Sequence, residues 1–175
     1  MGGLGSGRPP DVYSGTVEEC LSLDVNRFAR EGSIGKGCQA SGIISWDGPL
    51  GIKSSIGFEA QCFMKNGYMR LQYTVSSFAM GEQVVNYNVE LITTKPHLGG
   101  VRWWFICPNQ DCEKMVAKLY QPPGARYFLC RTCQNLTYTS CRDSHKYDSY
   151  YKQIAADTGL DIKLVRRISK NLNLI

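Results

Sequence analysis

Histidine is nearly missing from this chain. It occurs twice in 175 residues, as His97 and His145. A nucleophile–base pair would have to be built on one of those two, and neither has an evident nucleophile to activate. No catalytic residue is assigned, an enzyme is not expected, and no small-molecule substrate is implied. Long apolar runs are also missing. None approaches the ~18 residues of a membrane-spanning helix, so no membrane partner is expected. The first ten residues carry no apolar core of the kind a secretory signal needs. Their glycines, Gly2, Gly3, Gly5 and Gly7, are followed by no Gly-Lys-Ser/Thr and preceded by no strand, which excludes a phosphate-binding P-loop. A hydrophobic fraction of 43% excludes global disorder. There is no internal repeat and no low-complexity segment.

Cysteine, by contrast, is plentiful, at eight. Four fall into metal-ligand spacing: Cys107-Pro-Asn-Gln-Asp-Cys112, then 17 intervening residues, then Cys130-Arg-Thr-Cys133. Zinc takes four sulfur or nitrogen ligands at the corners of a tetrahedron. Two closely spaced cysteines on a tight turn supply two corners, and a second such turn supplies the others. The intervening segment must therefore return the chain. Met115 to Tyr120 reads as a strand, Pro122-Pro123-Gly124 as a turn and Arg126 to Leu129 as the returning strand. Four thiolates leave no open coordination position, so the single Zn2+ expected here is structural. Cys141 or His145 is an alternative fourth ligand. Cys20, Cys38, Cys62 and Cys141 read as buried free thiols, and reduced thiols fit a bacterial cytoplasm.

Charge is uneven. Residues 1–94 hold 7 Lys and Arg against 9 Asp and Glu, and residues 95–175 hold 13 against 6. A basic C-terminal part on a neutral-to-acidic body points to an anionic partner, DNA or RNA.

The periodicities predict an α+β protein with four segments. Residues 1–36 form a glycine-rich arm, with Arg8 as its one charge, and an N-terminal helix. That helix is predicted to start at Thr16, in the capping box Thr16-Val-Glu-Glu19. It runs to about Arg30 with Leu21, Val25, Phe28 and Ala29 as its apolar stripe, and stops at Gly32. Residues 37–106 alternate apolar and polar. They predict an antiparallel sheet of about five strands with the helix on one face, and a tight hairpin turn at Asn66-Gly67. Trp103, Trp104 and Phe105 pack into the sheet rather than stack on bases. Residues 107–141 form the zinc ribbon and residues 142–175 a helical tail broken at Gly159.

The tail reads Ile154-Ala-Ala-Asp-Thr-Gly-Leu-Asp-Ile-Lys-Leu-Val-Arg-Arg-Ile168. It resembles a helix-turn-helix over about 20 residues. The resemblance places Ala155 against the second helix, Gly159 in the turn and Val165 as its lock, with Ile154, Leu160 and Ile168 as apolar supports. Residues 161–172 become a recognition helix, with Lys163, Arg166, Arg167 and Lys170 facing phosphates or base edges. A helical hairpin that only packs is the alternative.

A wider resemblance is carried by Met1-Gly-Gly-Leu-Gly-Ser-Gly-Arg8, Val17-Glu-Glu-Cys-Leu-Ser-Leu-Asp-Val-Asn-Arg27 and Arg30-Glu-Gly32. It continues through His97-Leu-Gly-Gly100, Trp104-Phe-Ile-Cys-Pro108, Val116-Ala-Lys-Leu-Tyr120 and Tyr127-Phe-Leu-Cys-Arg-Thr-Cys133. To about Ser144 the chain resembles a family of bacterial and prophage-borne zinc-ribbon proteins. The resemblance implies a phage or mobile-element setting and a zinc ribbon, and no activity. Members end in an arginine-rich helix, from which the Gly159 break departs. The function expected is nucleic-acid binding, with a DNA-binding regulator as its specific form. The alternative is an inhibitor or accessory protein docking on a host complex such as a CRISPR-type defence machine.

Overall fold

The computed structural model describes residues 15–47, 53–77, 81–143 and 147–171. The chain falls into two compact units, residues 1–136 and 137–175. Arg8 and His145 lie outside the described residues.

Unit 1 is α+β and mostly antiparallel sheet. Strands β2 (Gln39–Asp47), β3 (Lys53–Cys62), β4 (Asn66–Ser77), β5 (Gly81–Thr94), β6 (Arg102–Ile106) and β7 (Met115–Val116) form one six-stranded meander in chain order. The inward residues follow the expected period of two. Phe58, Ala60 and Cys62 on β3, Met69, Leu71 and Tyr73 on β4, and Val85, Val89 and Leu91 on β5 are all buried. The sheet has six strands rather than five, because Met115–Val116, expected only in the ribbon hairpin, pairs with β6 through Phe105↔Val116. Trp103 and Phe105 are buried, as expected. Trp104 is half-buried, donates to Thr94 Oγ1 at 2.9 Å and lies 4.1 Å beneath the Arg102 guanidinium.

The long N-terminal helix does not form. Thr16 opens only a 3-10 turn, Val17–Glu19, and Leu21–Asp24 is a strand, β1, paired antiparallel with β8 (Lys118–Gln121). Of the capping box, the Glu19 carboxylate accepts the Thr16 N–H at 3.2 Å, while Thr16 Oγ1 is buried without a partner. Leu21, Leu23 and Val25 repeat every two residues, and this local pattern satisfies a strand as well as a helix. Pairing with a segment about a hundred residues further along decides between them, by burying Leu23 and Val25 fully. The helix α1 (Val25–Arg30) begins more than two turns later, capped by Asp24 Oδ1 accepting from Asn26 N at 2.9 Å. Ala29 is exposed, so the stripe is reduced to Val25 and Phe28. The Phe28 ring lies 5.4 Å from Phe58 and 6.4 Å from Phe105, which seats the helix on the core. Gly32 does end it. Its φ is 77°, and Ser33 N donates to Phe28 O at 2.9 Å across a left-handed cap.

The turn between β3 and β4 also differs from expectation. Phe63 N donates to Asn66 O at 2.7 Å, so Met64 and Lys65 make the turn, and Gly67 pairs opposite Cys62 within the ladder. Gly67 has no positive φ. It is glycine because a Cβ there would stand 2.5 Å from Gln61 O. Close approach of two strands, rather than turn geometry, explains the residue.

Unit 2 contains α2 (Thr139–Asp143), α3 (Asp148–Thr158) and α4 (Ile162–Asn171). Thr139 to Cys141 are thus helical and belong to unit 2, so the cysteine module ends near residue 136. Gly159, at φ 69°, makes the turn between α3 and α4 as the pattern required. No helix among the described residues is long and apolar enough to cross a membrane.

Candidate metal centre

The first cysteine pair lies on the turn between β6 and β7. Cys107 N donates to Lys114 O, and Cys112 N to Asn109 O, both at 2.9 Å. Glu113 takes the left-handed conformation (φ 45°) that lets the chain leave the turn. The second pair follows the Pro122-Pro123-Gly124 turn, closed by Ala125 N on Pro122 O at 3.0 Å. The returning segment is only partly a strand. Tyr120 and Leu129 exchange two backbone hydrogen bonds, and β8 spends its other edge on β1.

What holds that return in place is supplied by the main sheet, and nothing in the sequence signals it. Tyr73 on β4 donates its phenol to Arg126 O at 2.7 Å, and Tyr87 on β5 accepts from Phe128 N at 2.9 Å. Phe128 is fully buried, stacked 6.0 Å from Trp46 and edge-on to Tyr73 at 5.8 Å. Gln134 Nε2 ties the last turn to Tyr127 O at 2.8 Å and Tyr120 O at 3.2 Å. Burial pushes the Tyr73 phenol far above its ordinary range, so it stays a donor.

The two turns bring the sulfurs of Cys107, Cys112, Cys130 and Cys133 within 4.8 Å of one another. Cys107 Sγ to Cys133 Sγ is 3.9 Å, and Cys112 Sγ to Cys130 Sγ is 3.7 Å. Those are not disulfide distances, since an S–S bond is about 2.05 Å. They match a tetrahedron around a metal. With metal–sulfur bonds of about 2.3 Å, its edge is about 3.8 Å. Hydrogen bonds to sulfur complete the arrangement. Cys130 N donates to Cys107 Sγ at 3.4 Å, Cys133 N to Cys130 Sγ at 3.4 Å, and Asn109 Nδ2 to Cys133 Sγ at 3.2 Å. Such donors stabilise thiolate ligands and orient them.

Burial opposes the thiolate at Cys107, Cys130 and Cys133. At Cys107 and Cys133 it prevails, and the thiol is pushed up. At Cys130 the Cys133 N–H and the neighbouring thiols donate hydrogen bonds that outweigh it, so the thiol falls below its ordinary range. A divalent cation reverses the balance, because each thiolate then faces a double positive charge. The cluster can hold a metal ion with no protein position left open.

Of the other four cysteines, Cys38 and Cys62 are neighbours, with Cys62 N donating to Cys38 O at 2.8 Å. Cys62 is buried; Cys20 and Cys38 are half-buried, their thiols on Thr16 O at 3.1 Å and Gly32 O at 3.2 Å; Cys141 is exposed, contrary to expectation. His97 is exposed, beside Gly99 and Gly100.

In unit 2, Val165 is buried and Ile154 and Ala155 half-buried, as the helix-turn-helix pattern required. Leu160 and Ile168 are not supports; they are 43% and 41% exposed. Asp161 caps α4, its Oδ1 accepting from Lys163 N at 2.7 Å, and Ile162, Val165 and Ser169 turn inward. At 100° per residue, Ile168 falls well to one side of that line. The expected nucleic-acid residues separate likewise. Lys163 and Arg167 are exposed one turn apart, beside Leu164 and Ile168. Arg166 is half-buried, with Nη2 2.6 Å from Asp148 Oδ1 and its guanidinium 5.9 Å from the Tyr151 ring. Lys170 lies on α4, and its side chain is outside the described residues.

Compared with family models, curated proteins and solved structures, the chain matches none.

Proposed function

We propose that this is a zinc-ribbon protein that binds nucleic acid, with one structural Zn2+ held by Cys107, Cys112, Cys130 and Cys133. The observation that carries the zinc is the cluster of four sulfurs within 4.8 Å of one another, two of the separations being 3.7 and 3.9 Å, with three N–H donors on the sulfurs. The ion joins two turns far apart in sequence and contributes folding energy rather than Lewis-acid chemistry. Nucleic-acid binding rests on the basic surplus of residues 95–175 and on the exposed pair Lys163 and Arg167. A phage or mobile-element setting remains the one the family resemblance implies.

Salt titration tests this. Zinc-loaded protein should bind duplex and single-stranded oligonucleotides with an affinity that falls as salt rises, and the Lys163→Ala, Arg167→Ala double variant should flatten the salt slope. For duplex DNA each lost phosphate contact removes about 0.9 from that slope. No binding by the parent at low salt overturns the reading. A second reading, docking on a host protein complex, is favoured by Leu164 and Ile168, which lie one turn apart on α4, 42% and 41% exposed. A partner retained from host lysate after nuclease treatment would select it.

A further inference from the structure

A cleft of about 430 Å3 opens beside the first cysteine turn, lined among others by Tyr87, Asn88, Gln110, Asp111 and Tyr127. That volume lies within the range of small-ligand sites. We propose that it is a pocket for one unpaired nucleobase of a single strand, stacked on Tyr127. The proposal rests on the nucleic-acid reading above and gives it a site in unit 1, away from the tail.

Three observations meet here. First, Tyr127 is a large aromatic left 40% exposed, and its position is set rather than free. The Tyr87 ring stands perpendicular to it at 5.2 Å (89°), and its carbonyl accepts from Gln134 at 2.8 Å. An exposed ring that is already fixed stacks a base at little entropic cost. Second, the Arg126 guanidinium lies over one face of the same ring, 5.2 Å from its centroid, so a base stacks on the other face with a cation close by for the adjoining phosphate. Residues 101–136 hold 5 Lys and Arg against 2 Asp and Glu, which keeps the surroundings attractive to a phosphate chain. Third, Gln110 and Asp111 line the cleft, and their side chains make no hydrogen bond or ion pair among the described residues. An amide and a carboxylate match a base edge. The carboxylate only accepts, so it favours bases that offer an exocyclic amino group, adenine, cytosine or guanine, over uracil, whose edge offers a single ring N–H.

The wall is built by the metal turn itself. Asn109, between Pro108 and Gln110, donates to Cys133 Sγ, so the turn that carries Gln110 and Asp111 is pinned to the cluster. Metal binding and base binding are therefore coupled through a single loop.

The test is fluorescence anisotropy with labelled eight-residue oligoadenylate, oligocytidylate and oligouridylate, using the full zinc-loaded chain. The parent should prefer the first two over oligouridylate. Tyr127→Ala should weaken binding to all three by about tenfold, the equivalent of one lost base stack, and Tyr127→Phe should restore it. Asp111→Ala should erase the preference while leaving oligouridylate affinity unchanged, which a folding defect would not do. Equal affinity of parent and Tyr127→Ala, with zinc content and melting preserved, overturns the pocket and leaves the broader reading standing. A parent that binds neither these three nor duplex overturns both. Parent binding to duplex alone places the interface elsewhere and overturns the pocket.

Discussion

The two units of this chain stabilise themselves in different ways. In residues 1–136 one continuous apolar cluster runs from Leu23 through Met69, Leu91 and Phe105 to Cys130, and the four-cysteine site is part of it. Its inner members are pinned from two or three directions. Phe128 meets Trp46 and Tyr73 while its N–H meets Tyr87. In residues 137–175 the buried side chains, among those described, are Tyr151, Val165 and Ser169, and Leu160, Leu164 and Ile168 face outward. A lone turn-linked helix pair has too little facing surface to bury both apolar sides. The same fraction of apolar residues therefore gives a closed core in one unit and an open apolar side in the other.

The largest expected effect lies in unit 1. Cys130→Ser removes one corner of the tetrahedron and the sulfur that accepts Cys133 N. The variant should lose its zinc and unfold residues 107–133, because structural zinc contributes on the order of 10 kcal/mol to such modules. Metal analysis and hydrogen exchange would show this, and α3–α4 should keep its protection. Full zinc retention would remove Cys130 from the ligand set, and equal loss of protection in both units would break the comparison.

Val165→Asp comes next and attacks the other unit. An unpaired carboxylate at a position 3% exposed costs about 3 kcal/mol or more. The helical signal of residues 148–171 should fall while zinc content and the sheet are unchanged. A matching drop in the stability of the sheet would show that the units fold as one.

Gly67→Ala gives a smaller effect and sharpens the account of the sheet. The new Cβ would meet backbone at 2.5 Å, so the strands must part, at a cost of about 2 kcal/mol by denaturant unfolding. Gly57→Ala, whose Cβ would meet Gln72 O at an ordinary 3.4 Å, is the control and should be nearly neutral. An equally small effect at both positions would return Gly67 to the role of an unconstrained residue.

Much of this was legible in the sequence because it depends on near neighbours. The alternation on β3, β4 and β5 declares which face is buried, since side chains on a strand alternate whatever lies opposite. The spacing Cys107–Cys112 and Cys130–Cys133, with Pro122-Pro123-Gly124 between, selects the four sulfurs that meet, because each pair sits on its own short turn. Gly32 and Gly159 mark real chain reversals for the same local reason. Four features were decided only by tertiary structure. Leu21–Asp24 is a strand because Lys118–Gln121 lies beside it, and no local propensity encodes that neighbour. Gly67 is needed because Gln61 lies across the ladder, a contact that a turn motif imitates. Tyr73 and Tyr87 brace the second cysteine pair from strands separated from it by about fifty and forty residues, and Arg166 turns to Asp148 instead of solvent. In each case the deciding partner lies on another element, and the free energy of pairing or burying the two together outweighs the preference either segment has alone.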